Sequence, residues 1–140
     1  MSMKGWTVDD VINAQKKQDR AKRPKKESKY GNQEIEIDGF KFDSKGEGYR
    51  YLELKTMMRA GAISNLRLQV PFELAPAAIV DGKKKPALIY IADFVYRKDN
   101  RWVVEDFKGV RTDVYKIKRH LMKTVHRIDI FETERKRSNY

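Results

Sequence analysis

Three observations in the sequence predict a mixed α/β domain built on one central sheet. Residues 88–96 (LIYIADFVY) and 102–109 (WVVEDFKG) are apolar runs of strand length, joined by the polar turn RKDN. Residues 45–60 and 112–125 instead repeat apolar side chains at helical spacing. Shorter strand signals surround them, in the order β-β-α-β-β-β-α-β with no internal repeat.

Taken from the N-terminus, Trp6 and Thr7 followed by Val8, Val11 and Ile12 predict a short helix. Thr7 would cap it, with Asp10 as the acidic third residue and Trp6 packed on Val11. Residues 16–32 are polar and basic and include Pro24, which predicts a mobile arm. The folded body begins near Glu34. Ile35, Ile37, Phe40 and Phe42 flank Asp38-Gly39, a dipeptide that favours a tight hairpin turn. Tyr51, Leu52, Leu54, Met57 and Met58 give the apolar repeat of a helix over 45–60, and Gly61 is its natural stop. A strand is expected from Ile63 to Phe72, frayed at its end by Pro71 and Pro76. Residues 81–85, Asp-Gly followed by three lysines, read as an exposed loop. In the second helix Val114, Ile117, Leu121 and Val125 would be buried, with Tyr115, Lys116, Lys118, Arg119 and Lys123 on the polar side. Thr112 or Asp113 would cap it, and residues 127–133 would form the last strand. The expected organisation is a helix and basic arm over 1–33, a folded domain over 34–133 and a basic tail over 134–140.

A chain of 140 residues fits one domain, and its 40% hydrophobic content supplies one modest core. The absence of cysteine excludes disulfides, thiolate zinc sites and a cysteine nucleophile. Only His120 and His126 are present, too few for a multi-histidine metal site, and both are expected to be structural. No signal-like apolar core opens the chain and no run approaches the roughly 20 apolar residues of a membrane span, so a soluble, cytoplasmic protein without a membrane partner is expected. The net charge of +11 is unevenly distributed. Residues 1–33 hold nine Lys/Arg against four Asp/Glu, residues 108–140 ten against four, and the stretch between is neutral. A polyanion is the partner this pattern predicts, the alternative being a generally solubilising surface.

The chemistry centres on Asp93, Asp106 and Lys108. Asp93 is a lone carboxylate in an apolar strand, where desolvation is costly unless a cation meets it. Asp106 and Lys108 lie two apart on the next strand and share one sheet face. The hairpin brings Asp106 near Asp93, although direct opposition is not expected. Two carboxylates so close repel, and a divalent cation resolves the conflict. Magnesium suits such hard oxygen ligands. Lys108 would orient or deprotonate an attacking water. The alternatives are a strand-end aspartate and a surface Asp/Lys pair. Glu47 has two readings: Ser44-x-x-Glu47 is a capping box, and a carboxylate in the first helical turn could equally face the metal. Gly46 and Gly48 beside it each cost about 1 kcal/mol in a helix, which close approach of a DNA backbone would explain.

The segments FDSKGEGYRYLELK, LRLQVPFEL, YIADFVY, VVEDFKGVRTDVYKIKRHLM and IDIFE resemble a family of small phage-encoded nucleases of the PD-(D/E)xK superfamily, over about residues 30–133. The resemblance implies a restriction-endonuclease-like α/β fold, a mixed central sheet flanked by helices with a basic N-terminal arm. It implies catalytic Asp93, Asp106, Lys108 and Glu47, with Asp93, Asp106 and Glu47 holding Mg2+ (Mn2+ as substitute). Gln69 resembles an auxiliary polar position. Ala92 stands where the motif's proline would be, at a position that varies across the superfamily. Lys116, Arg119 and Lys123 form a basic stripe that, with Arg111 and Lys45, would bind DNA. No sequence-reading module is present, so recognition of DNA shape is expected. The expected activity is Mg-dependent cleavage of branched DNA by a homodimeric Holliday junction resolvase. The alternatives are a flap or nicking endonuclease, a non-catalytic nucleic-acid-binding protein, and an accessory protein that binds a host protein.

Overall fold

A computed structural model describes residues 33–134. The expected N-terminal helix, the arm over 16–32 and the tail beyond residue 134 lie outside the described residues. The elements are β1 (Ile35–Ile37), β2 (Phe40–Phe42), α1 (Lys45–Arg59), β3 (Ser64–Ala75), β4 (Ala78–Val80), β5 (Lys83–Lys85), β6 (Leu88–Lys98), β7 (Arg101–Phe107), α2 (Asp113–His126) and β8 (Phe131–Thr133). A four-stranded mixed sheet, ordered β3-β6-β7-β8, forms the centre, with β1-β2 and β4-β5 as separate two-stranded ribbons. β3, β6 and β7 are antiparallel, and β8 joins β7 in parallel. A parallel neighbour needs a crossover, and α2 supplies it.

Local chemistry explains the boundaries. Asp99 and Asn100 both take positive φ (51° and 62°), so the β6-β7 turn has the twist a two-residue hairpin requires. Ser44 caps α1 by accepting from the Glu47 N–H at 3.2 Å. Pro71 does not fray β3: it pairs with Ile91 well inside a strand that continues to Ala75. β3 lies at the sheet edge, where a residue without an N–H is tolerated. Residues 81–85 are likewise not a loop. Asp81 and Gly82 (φ 50° and 74°) form a turn between β4 and β5. The last strand is shorter than expected, with only Phe131–Thr133 paired.

Two hydrophobic clusters hold the helices to the sheet. Val70, Phe72, Leu74, Tyr90, Ala92, Val95 and Val104 pack with Tyr115 and Met122 of α2. Phe42, Leu68, Phe94 and Tyr96 pack with Tyr51 and Leu54 of α1. Of the side of α2 expected to be buried, only Leu121 packs against the core, and it does so partly buried. Tyr115, Met122 and His126 are the helix's buried residues, whereas Val114, Ile117 and Val125 are exposed. The helix is rolled so that its aromatic residue and its long thioether enter the core, and His126 Nε2 donates to the Glu73 carbonyl at 2.6 Å.

Strand alternation breaks at one place. Leu68 and Val70 are two apart yet belong to different clusters, and so are Phe94 and Ala92. These residues pair across the strands as Leu68↔Phe94 and Val70↔Ala92, which leaves Gln69 and Asp93 between them at the break. Gln69 has φ 52°, outside the β region, and that turn of the backbone lets its neighbours face opposite sides.

Gly46 and Gly48 serve the interior of the protein. A Cβ on Gly46 would stand 2.5 Å from Phe107 Cζ, and one on Gly48 would stand 2.4 Å from Ile35 Cδ1. The close approach invoked for DNA is thus made by the protein's own sheet and first hairpin. Gly46→Ala should destabilise the chain by about 1–3 kcal/mol in urea unfolding, despite alanine's better helix propensity. Phe107→Leu in the same chain should recover part of that loss. A stabilised Gly46→Ala would refute the packing account.

Candidate active site

The carboxylates gather where the alternation breaks. The β6-β7 register runs from Lys98↔Arg101 to Phe94↔Glu105. Asp93 and Asp106 thus follow directly on the last paired residues of the hairpin. The ladder ends here: the Phe107 N–H donates to Asp93 Oδ2 at 2.8 Å. Glu47, on the first turn of α1, is buried, and Gln69 Nε2 donates to its Oε1 at 3.3 Å. The capping box is thus half made, since the Glu47 side chain meets Gln69 while Ser44 alone caps the helix.

Asp93, Glu47 and Asp106 lie near enough for the charge of each to bear on the others. The Asp93 carboxyl is raised well above the ordinary range, by burial first and then by the Glu47 and Asp106 charges. Glu47 is raised too, by burial and then by the Asp43 and Asp106 charges, with Lys108 opposing. Asp106 is 2% exposed. Tyr90 Oη donates to its Oδ2 at 2.5 Å, while Oδ1 is buried without a hydrogen-bond partner. Lys108 Nζ stands 3.1 Å from that Oδ1 and 4.2 Å from the Tyr115 ring centroid.

Among the described residues no three Asp, Glu or His side chains already stand in ligating geometry. The donor set nonetheless suits a hard divalent cation. Every candidate donor is a carboxylate oxygen, one of them is buried and accepts no hydrogen bond, and their charges repel each other.

The basic residues divide into two groups. Arg111 and Arg119 donate to the two oxygens of Glu132 at 2.7 and 2.8 Å, and Glu132 pairs with Asp106 along the β7-β8 ladder. These guanidinium groups therefore stand on the strand beside the carboxylates. Lys116 and Lys123 lie further along α2, where they line a concavity of about 260 Å³ with Arg119, His120, Ile128, Asp129 and Ile130. Lys123 pairs there with Asp129 at 2.7 Å. Lys45 is exposed at the start of α1.

Sequence reasoning missed Tyr90 and Tyr115, which frame Asp106 and Lys108. It also missed the pair beneath them. Glu105, fully buried, receives Arg50 Nε and Nη2 at 2.7 and 2.8 Å, Tyr96 Oη at 2.7 Å and Thr133 Oγ1 at 3.2 Å. The available signal was Glu105 itself, an acid inside an apolar strand that had to find a cation.

Fold and site together define an α/β protein with a buried carboxylate-lysine cluster at the end of a strand hairpin. The chain belongs to the family described as "Protein of unknown function (DUF1064)", which matches residues 27–134. Neither the curated proteins nor the solved structures contain a match.

The raised carboxyl groups have a consequence for stability. A folded state that retains protons the unfolded chain has released loses stability as pH rises from the unfolded toward the folded pKa. For Asp93 and Glu47 that window runs from the ordinary range near pH 4 to about 9 and about 7. In EDTA, the wild type should lose stability across pH 5–9 in urea unfolding. Asp93→Asn should flatten that dependence and be the more stable protein at pH 8, by at least about 1 kcal/mol. A variant less stable than wild type at pH 8 would contradict the clustering of these charges.

Proposed function

We propose that the chain is a metal-dependent DNA endonuclease with a restriction-endonuclease-like site, hydrolysing phosphodiester bonds. The observation that carries this reading is Asp106 Oδ1, a buried carboxylate oxygen with no hydrogen-bond partner, 3.1 Å from the Lys108 ammonium and beside Asp93 and Glu47. Oδ1 has only the Lys108 ammonium beside it and accepts no hydrogen bond, whereas both oxygens of Glu105 accept from Arg50.

Asp93, Asp106 and Glu47 would hold Mg2+ or Mn2+, which when bound polarises the phosphate and lowers the pKa of the attacking water. Tyr90 fixes the Asp106 carboxylate by binding Oδ2, so that Oδ1 is the oxygen presented. Gln69 does the same for Glu47 through Oε1. Lys108, held between Asp106 and the Tyr115 ring, meets the water or the charge that develops on the phosphate. Arg111 and Arg119 keep the orientation set by Glu132 and offer their exposed edges to flanking phosphates.

The preferred substrate is branched DNA, cut symmetrically by a homodimer. The exposed Val114, Ile117 and Val125 of α2, next to the expected basic stripe, support a second copy as partner. The host cytoplasm is the setting this reading implies. No helix among the described residues is long and apolar enough to cross a membrane.

Labelled four-way junction, flap, single-stranded and duplex DNA should be incubated with and without Mg2+. We expect paired nicks at the junction, with Asp106→Asn and Lys108→Ala lowering the rate by at least about 100-fold. Mg-dependent cutting of a flap or nicked duplex instead would keep the nuclease and change its substrate. Binding without cutting in either metal would support a non-catalytic nucleic-acid-binding protein.

A further inference from the structure

The β4-β5 ribbon stands apart from the central sheet and is exposed along its whole length. Its register pairs Ala78 with Lys85, Ile79 with Lys84 and Val80 with Lys83, so one strand is apolar and the other is three consecutive lysines. Ile79 is 77% exposed and Val80 50%.

Nothing in the folding of the chain accounts for this composition. A two-stranded ribbon open to water on both sides is marginal, and adjacent like charges weaken it further. The tight Asp81-Gly82 turn nevertheless holds it as a regular ribbon. Lysines that repel each other in solution are stabilised when each meets a phosphate.

We propose that the β4-β5 ribbon is a second DNA-contacting element that enters a groove of the duplex away from the scissile bond. This inference rests on the endonuclease reading above. The major groove, about 12 Å wide, admits a two-stranded ribbon. In that placement Ile79, on the face it shares with Lys84, lies against apolar base edges such as thymine methyls, and the long side chains of Lys83, Lys84 and Lys85 extend to phosphates along the groove walls. The ribbon leaves the sheet where Ala75 pairs with Leu88, five residues along β6 from Asp93. That separation is about 17 Å at the usual strand rise, or roughly five base pairs, so only DNA extending beyond the cleavage site reaches the ribbon. The neutral balance of residues 34–107 concealed this patch, since its lysines are offset by acids that fold elsewhere.

The test uses the full chain and fluorescence anisotropy in Ca2+ without Mg2+, with labelled duplexes of about 30 and about 8 base pairs across a salt series. Replacing Lys83, Lys84 and Lys85 together by alanine should weaken binding of the long duplex at least about tenfold. It should also reduce the slope of log K against log salt by about 2–3, since each lysine removed leaves one phosphate to its counterions. The short duplex should bind within about twofold of wild type, and arginine at all three positions should preserve the slope. Ile79→Ser should weaken the long duplex without changing its slope. Wild-type binding of the long duplex by the triple alanine variant overturns the proposal, as does an equal loss on both lengths. A wild-type chain that binds neither duplex also overturns it and points to an acidic protein partner for the ribbon. Cleavage separates the two readings. If wild type cuts DNA in Mg2+ and the triple variant binds and cuts normally, the ribbon proposal alone fails. If the salt slope falls as expected but nothing is cut, the endonuclease reading fails and the ribbon's role in DNA binding stands.

Discussion

Two consecutive buried carboxylates on β7, Glu105 and Asp106, carry the organisation of this protein because their electrostatic demands are met in opposite ways. Glu105 is saturated by a forked Arg50 with Tyr96 and Thr133 around it. Removing one partner of such a pair would strand a charge, typically at about 3–5 kcal/mol. The pair clamps α1 onto the sheet, and Glu47 lies one turn before Arg50 on that helix. Asp106, at equal depth, accepts from Tyr90 on one oxygen and has only the Lys108 ammonium beside the other.

The clamp alone would not gather three carboxylates. A regular strand sends successive side chains to opposite faces, so Asp93 and the layer around Glu47 would be out of phase. The irregularity at Gln69 changes the phase of β3 and β6 together, because the two strands keep their register through it. The cost is a non-glycine residue in the left-handed region, of order about 1 kcal/mol or more. In return Gln69 binds Glu47, and Asp93 comes near enough to both other acids for their charges to raise its carboxyl. Backbone strain and like-charge repulsion thus coincide within one cluster, where the surrounding packing has to hold both.

Much of this is legible in the sequence, for identifiable reasons. The α1 boundaries follow from Ser44 and Gly61, the β6-β7 hairpin from its apolar runs and polar turn, and the place of Asp106 and Lys108 from the period of a strand. What escapes are properties of juxtaposition. Periodicity gives an apolar arc on α2 but not which part of it is pressed on the sheet, so it predicts Val114 and Ile117 buried where the fold buries Tyr115 and Met122. The glycines of α1 do mark a close approach, but Phe107 and Ile35 are distant in sequence and cannot be identified from it as the cause. The phase change at Gln69 leaves no trace, since a glutamine gives no sign of positive φ.

The cations around the site show how a basic chain can keep its carboxylates unneutralised. If Arg111 or Arg119 reached Asp106 directly, its Oδ1, now beside Lys108 alone, would gain a second cation. Glu132, beside Asp106 on β8, takes both guanidinium groups instead. Its carboxyl is held below the usual range by hydrogen bonds from Arg111 and Arg119, which oppose the effect of its burial, so it remains charged wherever the site is. Only Lys108 is admitted, as a single ammonium shared between Asp106 and the face of Tyr115. One lysine cannot balance three acids, so burial and mutual repulsion raise the Asp93 and Glu47 carboxyls and favour their protonated forms.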